Sequence, residues 1–415
     1  MSSSPLKQLI REPVFRQWAV ANVLVRMPVT MNLLSFILAG EYLTGSVGTG
    51  ALLAGASTLC GGFSARFRGA QLDRSVLKYG LMRQVGESAV ACLVLAVLVW
   101  MRAPLPLVFI TACVMGVLTA AITGGLRSLL IPSVPPELLE AANSVDAVLV
   151  EVAFVSGPVV AGVIGSFFAA PYLIATEAVL LFIGVLSIRP LPKHRPNNED
   201  NIKGQIPLFV TGAGSIYLLF FFFGFTFGVF DAALPEYVQT FGWKTATSGL
   251  LTTLISFGSG VGGILMTNVR GVLRKGRWIV IILYCAFMVA FGVPIYAPNP
   301  WIFGGLLFFV GLPIAPLMST LMLALQHIVP KRQQSEGFAL ASATILVASG
   351  GGLFVSGLLM NNVEVINASV LLHLLPAIPF TAALFYALGM VRRHRAGKPQ
   401  SLGYPLDPDI SDPRD

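Results

Sequence analysis

The chain has 415 residues, of which 55% are hydrophobic and 11% charged, and its mean hydropathy is +0.79. A soluble domain carries about 25% charged residues, so a soluble enzyme, a disordered chain and a fibrous one are excluded. A polytopic helical membrane protein is left, because barrel strands alternate apolar and polar residues and give no long apolar runs.

A span needs about 20 mostly apolar residues. Twelve are predicted, at 15–39, 47–67, 79–100, 104–128, 138–165, 170–189, 207–230, 246–268, 278–296, 301–326, 337–360 and 365–391. The first 18 residues include Lys7, Arg11, Glu12 and Arg16, and the apolar run after them is too long for a cleaved signal. That run is read as a retained first span. Most connections are short, so successive helices are expected to be antiparallel neighbours. The polar, Pro-rich stretch 190–206 divides six spans from six. The expected organisation is an N-terminal half (1–190), a cytoplasmic linker (191–206), a C-terminal half (207–391) and a disordered cytoplasmic tail (392–415).

The net charge of +8 would suit nucleic acid in a soluble protein. Here the positions of the charges decide otherwise. With the N-terminus inside, all of the 27 lysines and arginines except Arg26, Arg102 and Lys244 fall in cytoplasmic segments. The charge is thus an orientation signal, with both termini in the cytoplasm of a cell-membrane protein. All five tryptophans (Trp18, Trp100, Trp243, Trp278, Trp301) fall near span ends, as an interfacial belt would place them. The four cysteines (Cys60, Cys92, Cys113, Cys285) lie inside apolar runs without CxxC spacing. They are read as small buried residues, with no metal site.

The halves resemble each other. With an offset of 195 residues, segment 134–164 lies over 329–359. Val134, Pro135, Val152, Ala153, Gly157, Val160 and Gly162 then meet Val329, Pro330, Val347, Ala348, Gly352, Val355 and Gly357. Two six-helix halves imply a pseudo-two-fold axis along the membrane normal, with a site between them near the midplane.

Three local patterns add to this. The loop RGAQLDRSVLK (68–78) places Gly69, Asp73, Arg74 and Lys78 between spans two and three. A glycine there permits a tight turn, and an aspartate can accept from helix N-termini and basic side chains. Span five carries SGPVVAG (156–162). Its Pro158 kinks the helix, and Gly157 and Gly162 let a facing helix come close. The elements VPPELLEAAN and VPKRQQSEG enter spans five and eleven. On these features the chain resembles the major facilitator superfamily of secondary transporters, in particular bacterial, actinobacterial-type drug or metabolite:proton antiporters. The resemblance implies a role for the Gly69–Lys78 loop as a cytoplasmic latch holding the outward-facing state. It implies that Gly157, Pro158 and Gly162 form an antiporter-like motif sealing the site against leak. The loop departs from the motif at Val76 and Leu77, and span five at Ala161; the equivalent second-half loop, 270–277, has no aspartate.

Ionisable residues inside spans are functional candidates by default. Asn22, Arg26 and Thr30 recur at i, i+4 and i+8 in span one and form one polar stripe. Arg26, near mid-span, needs a carboxylate or an anionic ligand. The acidic candidates are Glu87, Asp146, Glu151, Glu177 and Asp231. Asp146 shares a face with Asn143, while Glu151 stands about 140° around the helix from it. Asp146 with Arg26 is the leading proton-coupling pair, and Glu151, Glu177 and Asp231 stay open as alternatives. An offset of 199 residues sets Asp231 opposite Asn32, so both are expected at the outer mouth. Asn22, Thr30, Asn32 and Asn143 are the candidate substrate-cavity residues. The phenylalanine run 220–230 goes all round its helix, so it is divided between lipid, packing and an aromatic wall. His327 and His373 could titrate, but lone histidines favour structural roles.

There is no GxxxxGK[ST], HExxH or GxSxG pattern, and the GxGxxG match at Gly258, Gly260 and Gly263 lies inside a span without a preceding strand. The fold expected is an all-α membrane protein, with twelve helices in two pseudo-symmetric halves. The function expected is proton-coupled efflux of small organic molecules by a monomer. Its partners are the substrate, protons and membrane lipid, with no cofactor, no catalytic residue and no nucleic acid. A proton-coupled importer, and a non-transporting sensor or assembly factor, are the alternatives.

Overall fold

The computed structural model describes residues 5–194, 213–268, 278–330, 333–362 and 366–395. The second-half loop 270–277, Lys331 and Arg332, most of the linker and the tail beyond residue 395 lie outside the described residues. The N-terminal half consists of α1 (Pro5–Arg11), α2 (Pro13–Thr44), α3 (Val47–Asp73), α4 (Leu77–Trp100), α5 (Leu105–Thr119), α6 (Ile122–Leu130), α7 (Leu139–Phe167) and α8 (Ala170–Ile188). The C-terminal half consists of α9 (Ala213–Tyr237), α10 (Thr247–Asn268), α11 (Trp278–Gly292), α12 (Pro300–Gly311), α13 (Ile314–Ile328), α14 (Gln334–Asn362), α15 (Ala368–Leu374) and α16 (Ala377–Arg395).

Among the described residues, eleven helical segments are long and apolar enough to cross a membrane. α3 makes the twelfth crossing element. It is 27 residues long, but Gly48, Gly50, Gly55, Gly61, Gly62 and Gly69 lower its hydropathy, and it packs among α2, α5 and α14. Three expected spans are broken helices. α5 gives way to α6 at Ala120–Ala121, α12 to α13 at Leu312–Pro313, and α15 to α16 at Leu375–Pro376. At the last two, proline removes a backbone donor and crowds the preceding turn.

Each half has its own apolar core. Trp18, Met31, Leu53, Leu95 and Met115 belong to the first, and Phe220, Tyr284, Phe287 and Leu321 to the second. Trp18 corrects the expected interfacial belt. It is fully buried and donates its indole N–H to the Leu126 carbonyl at 2.8 Å. Its helix turns that face towards α6, whereas Trp100, Trp278 and Trp301 are exposed.

The sequence repeat has a structural counterpart. α7 and α14 are both 29 residues long and begin and end at equivalent positions. Their paired glycines do matching work. A Cβ on Gly157 would run into Thr30 of α2, and one on Gly352 would lie 2.6 Å from the Phe225 carbonyl of α9. A Cβ on Gly162 would lie 2.7 Å from the Ala246 carbonyl beside α10, and one on Gly357 would lie 2.6 Å from the Gly48 carbonyl of α3. In each pair the first glycine seats the helix against the first long helix of its own half. The second seats it against the other half. The halves therefore meet along two equivalent contacts, α7 with α10 and α3 with α14. The GxGxxG match is also packing, since a Cβ on Gly258 would run into the Phe308 carbonyl of α12.

The two ends of the molecule differ. One carries Arg66, Arg68, Arg74, Lys78, Arg83, Arg189 and Lys193 and is called the basic end below. The opposite end is closed across the halves. Glu41 accepts from Gln239 Nε2 at 3.0 Å and from Thr245 Oγ1 at 2.8 Å. Lys244 Nζ donates to the Ser166 carbonyl at 2.9 Å, and Ser46 Oγ donates to Asn361 Oδ1 at 2.6 Å. Because Gly162 and Gly357 meet backbone there, a larger side chain overpacks the closure, at a cost of about 1–3 kcal/mol. Gly162→Val or Gly357→Val is expected to speed labelling of a cysteine at Thr245 by a membrane-impermeant maleimide at least about fivefold. The background would lack the native cysteines, and an unchanged rate would contradict the seal.

Candidate functional site

Between the halves lies a cavity of about 1140 Å³. Its lining runs from Asp231, Leu234, Pro235 and Gly249 near the closed end, past Arg26, Thr30 and Asp146, to Gly69, Asp73 and Leu77 at the basic end. Most of the wall is apolar, with Leu33, Ile37, Phe154, Phe227, Phe230, Ile255 and Leu346 among its members.

The polar stripe of α2 faces α7. Arg26 Nη2 and Asp146 Oδ1 form an ion pair at 3.1 Å, with side-chain exposures of 7% and 5%. Asn22 Nδ2 donates to the same carboxylate oxygen at 3.1 Å. Thr30 Oγ1 donates to the Ala153 carbonyl at 2.9 Å, two turns further along α7. Arg26, Thr30 and Asp146 line the cavity, while Asn22 is fully buried behind them. The sequence did not single out Arg127. It sits in α6 near a span end, where it counts as one more basic loop charge. The break in its span leaves its Nε 3.9 Å from Asp146 Oδ2 and its side chain open to the cavity. Asp146 is thus faced by Arg26, Asn22 and Arg127, on three sides.

The other candidates separate by helix face. Asp231 lines the cavity near its closed end. That corrects its placement at an open outer mouth, because this end is shut. Asn32 is half-buried and off the cavity lining. Asn143 and Glu151 are exposed outside the cavity, Glu151 next to exposed Val152. Sharing a face with Asp146 did not bring Asn143 to the cavity, because α7 turns only a narrow strip inward. Glu177 is fully buried in the N-terminal half. It accepts a hydrogen bond from Ser35 and a weak one from Cys92 Sγ at 3.9 Å. Glu87 bridges Arg68 at 2.8 Å and Arg83 at 2.7 Å.

The loop at the basic end also differs from its expected shape. Gly69 makes no tight turn. It lies inside α3, which continues to Asp73, and the space around it is open. The chain turns instead at Arg74–Val76. Asp73 is exposed at the cavity mouth and makes no ion pair among the described residues. Arg74 is exposed at the end of α3, and Lys78 lies 5.9 Å from the Tyr79 ring centre. His327 and His373 are exposed, each with Nδ1 against a carbonyl of its own helix.

The sequence profile of the Major Facilitator Superfamily matches residues 18–354 and 216–405. The chain belongs to this superfamily. It is a multi-pass membrane transporter of the secondary kind and not an enzyme. The transporter is similar in fold to the nucleoside transporter NupG, with a TM-score of 0.71 and 12% identity over 91% of this chain and 98% of that one. A D-xylose-proton symporter has a TM-score of 0.67 and 15% identity, over 91% and 97%. The POT family transporter PepTSo has a TM-score of 0.69 and 11% identity, over 93% and 99%. No curated protein matches the sequence.

Breaking a buried ion pair leaves an uncompensated charge and costs about 3–5 kcal/mol, whereas replacing both partners by apolar residues is often neutral. Asp146→Ala is therefore expected to lower the melting temperature of the purified transporter clearly. Arg26→Met combined with Asp146→Leu is expected to recover most of the loss. Equal melting temperatures for the single and double variants would contradict a paired role.

Proposed function

We propose that the transporter exports small organic molecules in exchange for protons, with Arg26 and Asp146 as the coupling pair. The observation that carries this reading is the buried pair itself, set in the wall of a mostly apolar cavity that reaches the basic end. A carboxylate that loads and releases a proton needs an environment that changes between states, and a guanidinium that approaches or withdraws supplies it. In the arrangement described here the pair is joined. Protonation of Asp146 removes the counter-charge of Arg26 and so disfavours this packing of α2 on α7.

Alternating access then follows as rocking of the halves about the α7–α10 and α3–α14 contacts. With the basic end in the cytoplasm, the cavity is open inward and closed outward. The Gly69–Lys78 latch belongs to the opposite state, and the absence of an ion pair at Asp73 among the described residues agrees with that. Export is favoured over import by the resemblance of span five, where Pro158 and Gly162 stand at the closure against Gly249 and Ala246. Gly357 does the same work as Gly162 without a preceding Gly-Pro, so packing alone accounts for the second glycine. One proton crossing about 150 mV supplies about 3.5 kcal/mol, enough for a gradient of a few hundred-fold.

In inside-out vesicles, a panel of fluorescent neutral, anionic and cationic organic molecules is expected to include at least one accumulated under an imposed pH gradient. Asp146→Asn is expected to reduce that accumulation at least about tenfold, the effect of roughly 1.4 kcal/mol. Proton-driven accumulation confined to right-side-out vesicles would contradict export. Full pH-driven transport by Asp146→Asn would contradict the coupling site.

A further inference from the structure

Three carboxylates line the cavity, and they are not alike. Asp146 is occupied by Arg26, Asn22 and Arg127. Asp73 is exposed at the mouth. Asp231 lies deep, six residues before the end of α9 at Tyr237, or about 9 Å of helix rise from the closed end. It has no ion pair or hydrogen bond among the described residues. The C-terminal half contributes no basic side chain to the described lining. The wall hydroxyls of α10 and the residues leading into it are committed to their own backbone. Ser248 Oγ donates to the Thr245 carbonyl at 2.7 Å and Thr252 Oγ1 to the Gly249 carbonyl at 2.9 Å.

The surroundings of Asp231 are aromatic. Phe227 is one turn before it on the same face, Phe230 immediately precedes it, and both line the cavity. Their rings are held from behind. Phe227 lies 5.1 Å from Phe223, 5.9 Å from Phe287 and 5.9 Å from Phe291, and Phe230 lies 5.1 Å from Phe291, between ring centres. The run of phenylalanines thus has a definite division. Phe220, Phe223 and Phe230 are buried in the second core, Phe230 where that core meets the cavity wall. Phe221 is exposed, and Phe227 is half-buried on the cavity wall. An unpaired carboxylate at the end of a pocket, flanked by fixed aromatic rings, matches a cation that carries its charge on an apolar body.

We infer that Asp231, Phe227 and Phe230 form a subsite for a lipophilic organic cation, separate from the Arg26–Asp146 pair. Resting on the reading as an exporter of small organic molecules, this names the substrate class: amines and quaternary cations with aromatic or aliphatic bulk. The charge enters from the basic end and comes to rest near the closed end, with the apolar body along Leu34, Ile37 and Ile255. Division of labour follows. Asp231 holds the substrate's charge and Asp146 the proton, so the two need not compete for one carboxylate.

The test is equilibrium binding, which needs no gradient and so stands or falls apart from the export reading. Purified full-length transporter in nanodiscs is titrated calorimetrically with tetraphenylphosphonium and, separately, with tetraphenylborate, an ion of the same shape and opposite charge; empty nanodiscs supply the blank. Tetraphenylphosphonium is expected to bind and tetraphenylborate to bind far more weakly. Asp231→Asn is expected to weaken tetraphenylphosphonium binding roughly 10- to 100-fold, Phe227→Leu about three- to tenfold, and Asp231→Glu to restore most of the affinity. Glu151→Gln, at an exposed carboxylate outside the cavity, is expected to leave it within about threefold of the unmodified protein. Gel filtration of each variant separates loss of binding from loss of fold. Equal binding of both ions would overturn the inference. So would undiminished tetraphenylphosphonium binding by Asp231→Asn, or no binding to the unmodified transporter at millimolar concentration.

Discussion

A charge inside a bilayer must find a counter-charge or water, and few other constraints bear so directly on this molecule. Arg26 stands near the middle of α2, where an unpaired guanidinium would be costly. Its partner Asp146 is on α7, so the pair fixes how the first and fifth crossing elements lie together. Thr30 continues the same seam by donating to the Ala153 carbonyl. Once α2 and α7 are joined in this way, the remaining face of α7 is free to carry Gly162 to the other half. The ion pair and the contact between the halves are thus two sides of one helix, and a change at one is placed to be felt at the other.

The glycines make that arrangement work. In lipid no hydrophobic force drives helix against helix, and close backbone approach takes its place. At Gly162 and Gly357 the facing backbone comes too near for any side chain. Both contacts lie towards the closed end, while the basic end is held apart and opens into the cavity. Broken helices lie in both halves. α5 with α6 in the first corresponds to α12 with α13 in the second. Among their side chains only the break near Ala121 brings a charge, that of Arg127, close to the Arg26–Asp146 ion pair.

Much of this was legible in the sequence because the membrane makes charge and polarity expensive. The spans follow from apolar runs, and the Asn22–Arg26–Thr30 stripe follows from helical spacing. Asp146 as the partner of Arg26 follows from the need for a carboxylate. The repeat correctly equated Gly157 with Gly352 and Gly162 with Gly357. What escaped depended on which neighbour a face meets. Asn143 shares a face with Asp146 yet is exposed, and Glu151 looks outward. Trp18 stands near a span end yet turns into the core. Arg127 looked like a loop charge because nothing local marks its helix as broken; the breaks at Pro313 and Pro376 likewise fall inside segments read as single spans. Gly69 matched a turn motif, but α3 runs a further turn and carries the glycine inside a helix. The isolation of Asp231 could not be read at all, since it rests on what the facing helices lack.

The central claim is that the Arg26–Asp146 pair ties protonation to the opening of the basic end. Its most direct measurement is the distance between spin labels at Tyr79 and Gln326, exposed positions near that end in the two halves, followed as a function of pH. The account predicts that acidification moves the unmodified transporter towards a shorter distance. In Asp146→Asn the shorter distance should prevail at every pH. A pH response in Asp146→Asn equal to that of the unmodified transporter would contradict it.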